Sequence, residues 1–145
     1  MNNEKNMIDA AKNMGLHTEF EGLVKKEGRL NTQLASNPED VVGFDYIVQW
    51  EGNCYEFYSA NPPLIGCTQA KPIPYPLGVA VFNEYNVDYK RAIELFHTGD
   101  WGGRFTAIAL FKPLHPEIKE PYWYFISDLG VKVVIGANTG DFVNL

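Results

Sequence analysis

The sequence YWYFISDLGVKVVIGANTGDF, residues 122–142, carries the strongest structural signal in the chain. Residues 122–127 and 131–136 are rich in aromatic and β-branched side chains, which favour β-strands. Leu129-Gly130 lies between the two runs and supplies a short turn, so the pair is predicted to form a β-hairpin. The polar run 138–141 then predicts a second turn.

The residues before this hairpin predict a helix and a strand. Tyr89, Ala92, Ile93 and Phe96 follow the i, i+3, i+4, i+7 spacing of an amphipathic helix, predicted over 87–98. Residues 104–111 are apolar on both faces, which is typical of a central strand covered on both sides.

The N-terminal half repeats this order less clearly. Residues 41–49 and 53–59 alternate between apolar and polar, which predicts a hairpin turning at Glu51-Gly52-Asn53. Apolar residues at helical spacing predict a short helix over 4–14. The polar run Lys25-Lys26-Glu27-Gly28 has the composition of a turn.

Residues 61–78 carry five prolines and two glycines. Proline removes a backbone donor, so this segment is neither a central strand nor a helix. Its apolar side chains, namely Leu64, Ile65, Ile73, Tyr75 and Leu77, are expected to pack against the rest of the protein. The sequence therefore predicts an ordered loop that crosses the sheet, and long ordered loops are often functional.

Together these elements predict one α+β domain over residues 1–145: an antiparallel β-sheet with two short helices packed on one face, a cystatin-like arrangement. The shared order of helix and hairpin suggests two pseudo-repeated halves, 1–60 and 84–145, joined by the loop 61–78.

The charge and composition exclude several classes of partner. The formal net charge is −6, and the twelve basic residues are scattered. Nucleic acids and anionic membrane surfaces need a basic footprint, so neither is expected as a partner. No apolar run approaches the ~18–20 residues of a membrane span. The polar start of the chain lacks a signal-peptide pattern, which favours the cytoplasm.

No catalytic residue, metal or cofactor is predicted. Cys54 and Cys67 are expected to be reduced thiols in the cytosol, with a disulfide between them as the alternative. Two cysteines and three scattered histidines do not supply a zinc site. Asn138 and Asp141 offer too few oxygens for calcium. The sequence therefore favours a non-enzymatic protein over an enzyme.

The candidate binding residues are large aromatic side chains and an arginine. Trp, Tyr and Arg dominate protein–protein hot spots because they combine a large apolar area with polar atoms. The candidates are Trp101, Arg104, Tyr122, Trp123 and Tyr124. The alternative is that these side chains fill the core, which is favoured for Trp123 and evenly balanced for Trp101.

The run Tyr124 to Val143 contains paired strands, Val133-Val134-Ile135, and then the turn sequence from Ala137 to Val143. This run is similar to the end of PepSY-type domains, a family that pairs a helix with a small antiparallel sheet. The resemblance covers the C-terminal half only. It implies a non-enzymatic module that binds or inhibits a partner protein.

The leading functional expectation is a small cytoplasmic module that binds another protein, as an inhibitor or immunity-type factor. The rival is a ligand-binding or enzymatic domain with an aromatic pocket between helix and sheet. That pocket would be lined by Tyr46, Tyr55, Phe57, Phe105 and Tyr124, with Asp45 or Glu56 as the working carboxylate. A third option is a homodimer formed across an exposed edge or face of the sheet.

Overall fold

The computed structural model describes residues 22–144, which form one antiparallel sheet with a helix on one face. The strands are β1 (Gly22–Leu30), β2 (Val41–Trp50), β3 (Asn53–Ala60), β4 (Lys71–Ile73), β5 (Val79–Ala80), β6 (Phe105–Pro113), β7 (Tyr122–Ser127) and β8 (Lys132–Gly136). The order across the sheet is β4-β3-β2-β1-β6-β7-β8, and β5 pairs with one end of β6. The helix α1 (Tyr89–Phe96) and a 3-10 turn (Pro38–Asp40) complete the described elements.

The predicted fold class is wrong. Strand residues make up 46% and helical residues 9% of the part of the chain that the structure describes, which is therefore mostly antiparallel β rather than α+β with two helices on a sheet. Among residues 22–144 there is a single α-helix, and the helix predicted over 4–14 lies outside the described residues. The pseudo-repeat of two halves also depends on that first helix and stays a prediction.

The strand β1 explains part of this difference, because it occupies the place where the sequence predicted a turn. Lys26 pairs with Tyr46 of β2 on one side and with Leu110 of β6 on the other. The residues from Lys25 to Gly28 are therefore the middle of a central strand. Pairing on both sides outweighs a local turn preference because it satisfies the backbone groups of a strand from both edges.

The two predicted hairpins and the helix predicted over 87–98 are confirmed. β2 and β3 join through Glu51 and Gly52, whose φ angles of 49° and 77° suit a tight two-residue hairpin turn. β7 and β8 pair as predicted. Asp88 caps α1, since its Oδ1 accepts a hydrogen bond of 2.8 Å from the backbone N–H of Arg91.

The main core lies between α1 and one face of the sheet, called here the helix face. Phe96 of α1 packs against Phe105 and Phe125, with ring centroids 5.5 and 4.9 Å away. Trp123 is completely buried, and its Nε1 donates a 2.7 Å hydrogen bond to the carbonyl of Val87. The opposite face, called here the open face, has no helix over it among the described residues.

The expectation that the apolar side chains of the Pro-rich loop pack against the rest of the protein is wrong for most of them. Ile65 and Leu77 are 98% and 97% exposed, and Leu64 is 52% exposed. Ile73, by contrast, joins a small cluster on the open face with Cys54 and Val24. Prolines limit strand pairing here to the three residues of β4, so most of the loop lies at the margin of the sheet.

Candidate functional site

A groove of about 420 Å³ lies on the open face, over β1, β6 and β7. Its floor is formed by small residues in β6 that stand between larger side chains in the neighbouring strands. Ala109 pairs with Tyr124, and Ala107 pairs with Ile126, so the missing side-chain volume of the alanines creates the depression. Period-two alternation along β6 and β7 places all four of these side chains on one face.

An aromatic stack forms one wall of this open-face groove. The rings of Phe111 and Tyr124 are 4.1 Å apart and 4° from parallel, and Tyr122 meets Tyr124 edge-on at 6.2 Å. Burial, and to a lesser extent the neighbouring Tyr122, raises the pKa of Tyr124 to about 12. The Tyr124 hydroxyl therefore stays protonated at neutral pH, and the wall is uncharged.

Two lysines flank the groove. Lys25 Nζ lies 5.6 Å from the centroid of Phe111, and Lys132 Nζ lies 5.2 Å from that of Tyr124. Glu27 is 3.7 Å from Lys25, while Lys132 has no carboxylate within ion-pair distance in the described part of the chain. Lys25, Lys132 and Glu27 all line the groove, so its charged side chains sum to +1 although the whole chain is acidic.

Exposed apolar side chains continue from the groove onto the tip of the β7–β8 hairpin. Ile126 is 46% exposed, Leu129 70% and Val131 41%. Contiguous apolar surface with a polar rim is typical of an interaction site. The groove and this hairpin tip together form the candidate functional site.

The structure divides the predicted binding residues among three places. Tyr122 and Tyr124 lie on the open face, and Tyr124 lines the groove. Trp123 lies between them in sequence and points the opposite way, because adjacent strand residues face opposite sides of a sheet. Trp123 has no exposed surface, and it therefore leaves the candidate binding set.

Trp101 and Arg104 lie near the end of α1 and the start of β6. The Trp101 Nε1 donates a 2.8 Å hydrogen bond to the carbonyl of Phe96, the last residue of the helix, and its ring packs edge-on against Phe142. Trp101 thus satisfies a helix-end carbonyl. Arg104 is exposed, with its Nε 3.6 Å from Asp128 in the β7–β8 turn.

The sequence interpretation missed Lys26, which is completely buried on the helix face. Its Nζ lies 4.0 Å from the ring centroid of Phe44, 5.2 Å from that of Tyr46 and 5.6 Å from that of Trp123. Burial holds the pKa of Lys26 well below its usual value, and the carboxylate of Asp88 opposes that effect. No local pattern in the sequence indicates this burial, because the strands that flank Lys26 are remote in the chain.

The aromatic pocket of the rival hypothesis is filled by side chains. Tyr46, Phe57 and Phe105 are at most 2% exposed and belong to the closed core. Tyr55 packs against that core, and Tyr124 lies on the other face. The two carboxylates also face away from the core: Asp45 accepts hydrogen bonds of 2.8 and 2.7 Å from Arg29, and Glu56 is exposed.

Cys54 and Cys67 lie on opposite faces of the sheet and are not joined by a disulfide. Cys54 is buried in the small open-face cluster, where burial raises the pKa of its thiol. Cys67 packs against the main core. Within residues 22–144, no group of three or more His, Cys, Asp or Glu side chains is arranged to hold a metal ion.

Comparison with protein-family models, curated proteins and solved structures found no match to this chain. The similarity to PepSY-type domains therefore stays a prediction. No helix within the described residues has the length and apolar character needed to cross a membrane.

Proposed function

We propose that this protein is a small, cytoplasmic, non-enzymatic module that binds another protein through the open-face groove. The observation that carries the proposal is the combination of a stacked aromatic wall, a depression over Ala107 and Ala109, and an exposed apolar hairpin tip. Interfaces of this kind use preorganised aromatic surface as their energetic centre.

The charges around the groove specify the partner's chemistry. Lys25 and Lys132 stand at the rim, so a carboxylate of the partner would meet a cation on either flank. The apolar floor would hold an aliphatic or aromatic side chain between those carboxylates. We therefore infer that the partner presents an apolar side chain flanked by Asp or Glu.

The cytoplasmic location and the inhibitor or immunity role belong to the same proposal. Cys54 and Cys67 are not joined by a disulfide, which is consistent with a reducing compartment. An inhibitor or immunity-type factor acts by occupying its partner's surface, which needs a preformed binding face and no catalytic group.

Selection from a displayed library of random peptides tests the proposed partner chemistry directly. The wild-type protein is expected to enrich peptides in which an apolar residue is flanked by Asp or Glu. The double variant Lys25→Glu/Lys132→Glu should instead enrich peptides with flanking Lys or Arg, because the rim charge is reversed. The matched control Lys71→Glu/Lys119→Glu changes two exposed lysines away from the groove and should select the wild-type motif.

Two outcomes would overturn the proposal. One is a wild-type selection without any enriched motif, and the other is a motif that is the same in the rim variant. Native mass spectrometry of the protein purified from its own host tests the homodimer alternative. A homodimer with no other protein bound would mean that the partner is a second copy of this chain. Such a dimer would have to use a face, because β4 is short and contains Pro72, and Val143 bonds to β8 at the other edge.

A further inference from the structure

A second concavity lies on the other side of the molecule, where the N-terminus of α1 meets the start of β2 and the beginning of the Pro-rich loop. Its volume is about 600 Å³, within the range of small-molecule sites. Apolar walls come from Val41, Val42, Pro62, Pro63 and Leu64. This space, called here the proline cleft, is separate from the open-face groove and shares no lining residue with it.

Tyr89, the first residue of α1, lines the proline cleft and is 7% exposed. Its ring is fixed by an edge-on contact with Phe44, with centroids 5.3 Å apart. Its hydroxyl makes no hydrogen bond within residues 22–144 and is not one of the fully buried polar atoms, so it is open to the space of the cleft and available to a ligand. Burial, with smaller contributions from Asp88 and Glu39, raises the pKa of Tyr89, so the hydroxyl remains a proton donor.

Asn61 provides a second polar group in the wall. It is 5% exposed, and its Nδ2 donates a 2.9 Å hydrogen bond to the carbonyl of Val41. This bond holds the side chain in place, and the amide oxygen has no donor among the described residues. The cleft therefore offers a fixed donor at Tyr89 and a fixed acceptor at Asn61.

Two opposite charges open into the same space. Glu39 and Lys90 both line the cleft, and neither forms an ion pair with any residue of the described chain. Lys90 and the Tyr89 hydroxyl suit a carboxylate, whereas Glu39 and the Asn61 oxygen suit an ammonium group. An apolar body would lie against the valines and prolines.

We propose that the proline cleft binds a small zwitterion with an apolar side chain, either a free amino acid or a short apolar peptide. The ligand's carboxylate lies at Lys90 and Tyr89, and its ammonium lies at Glu39. A free amino acid and a short peptide share these charged ends and an apolar side chain, and the cleft is large enough for either.

Titration followed by NMR amide shifts tests this inference with defined probes. L-leucine and dileucine are compared with 4-methylpentanoate, which lacks the amine, and 3-methylbutylamine, which lacks the carboxylate. We expect saturable shifts at Val42, Asn61 and Lys90 with the zwitterions, and a Kd about tenfold weaker for each analogue, the loss expected for one charged contact. Tighter binding of leucine than of dileucine would identify the ligand as a free amino acid, and the reverse order would identify it as a short peptide.

The variant Tyr89→Phe removes only the hydroxyl and should weaken binding of the zwitterions by about fivefold to tenfold. Tyr122→Phe is the matched control, because Tyr122 is 9% exposed but lies on the open face. Retained spectral dispersion verifies that each variant is folded. The inference is overturned by an absence of saturable shifts up to about 10 mM ligand, by equal binding of the analogues, or by unchanged affinity in Tyr89→Phe.

Discussion

Replacement of Lys26 by methionine should change how the stability of this protein depends on pH. The Lys26 amino group is completely buried among Phe44, Tyr46 and Trp123, and its pKa is held well below the usual 10.5 by burial. Methionine has a similar length and no ionisable group, so Lys26→Met removes the titration and keeps most of the packing.

The sign and size of the effect follow from proton linkage. Between the folded-state pKa and 10.5, the unfolded chain holds one proton more than the folded chain at this lysine. The free energy of unfolding therefore rises with pH across that window, at up to about 1.4 kcal/mol per pH unit. The cost of burying the charge is fully present below the folded-state pKa and is gone above the unfolded-state pKa.

Urea unfolding of the wild type and Lys26→Met at pH 7.5, 8.5 and 9.5, about one unit apart, measures this difference. The stability of the variant relative to wild type should fall as pH rises, by up to about 1.4 kcal/mol for each unit. Lys71→Met changes an exposed lysine and should leave the slope unaltered. A difference between Lys26→Met and wild type that is constant across this range would refute the reasoning.

Three other changes test the packing and capping described above. Trp101→Phe removes the donor to the Phe96 carbonyl and should lower the free energy of urea unfolding by about 1 kcal/mol. Gly28→Ala would place a Cβ 2.4 Å from the Cγ2 of Ile108 and should lower the free energy of unfolding by about 1–3 kcal/mol. In the control Gly103→Ala the new Cβ meets open space, so the loss of stability should be much smaller, and equal losses in the two variants would contradict this packing. The carboxylate of Asp40 accepts two backbone N–H bonds at 2.9 and 3.0 Å, which lower its pKa from 3.8. The stability that this carboxylate contributes is present above pH 3.8 and is lost as pH falls through the lower folded-state pKa. Asp40→Ala should therefore lower the free energy of unfolding by about 1 kcal/mol at pH 7. On acid titration, the free energy of unfolding should fall less steeply in the variant than in the wild type.

Local sequence patterns predicted the two hairpins and the helix correctly. The alternation in β2 and β3, and the spacing of Tyr89, Ile93 and Phe96, are set by residues close together in the chain. The same local reasoning failed at Lys25–Gly28, where four polar or small residues resemble a turn. The partners that make this segment a strand, in β2 and β6, are remote in sequence, so no local pattern announces them.

The candidate site was predicted in part. The sequence identified Tyr122 and Tyr124 as candidate binding residues, and both lie on the open face. It did not identify Lys25, Lys132 or the alanines of β6, because their contribution depends on which strands are neighbours. It also grouped Trp123 with the tyrosines, although strand alternation separates them.

The sequence by itself determined which segments pair as the two hairpins, that a helix lies within 87–98, and which side chains of β2 and β3 share a face; the helix that forms, α1, spans Tyr89–Phe96. These features depend on the period of two along a strand and of 3.6 along a helix, which short-range chemistry specifies. Only the tertiary structure decided that β1 lies between β2 and β6, and that α1 covers one face of the sheet and leaves the other open. That arrangement buries Lys26 and opens the groove between Lys25 and Lys132, because burial is set by contacts between residues far apart in the chain.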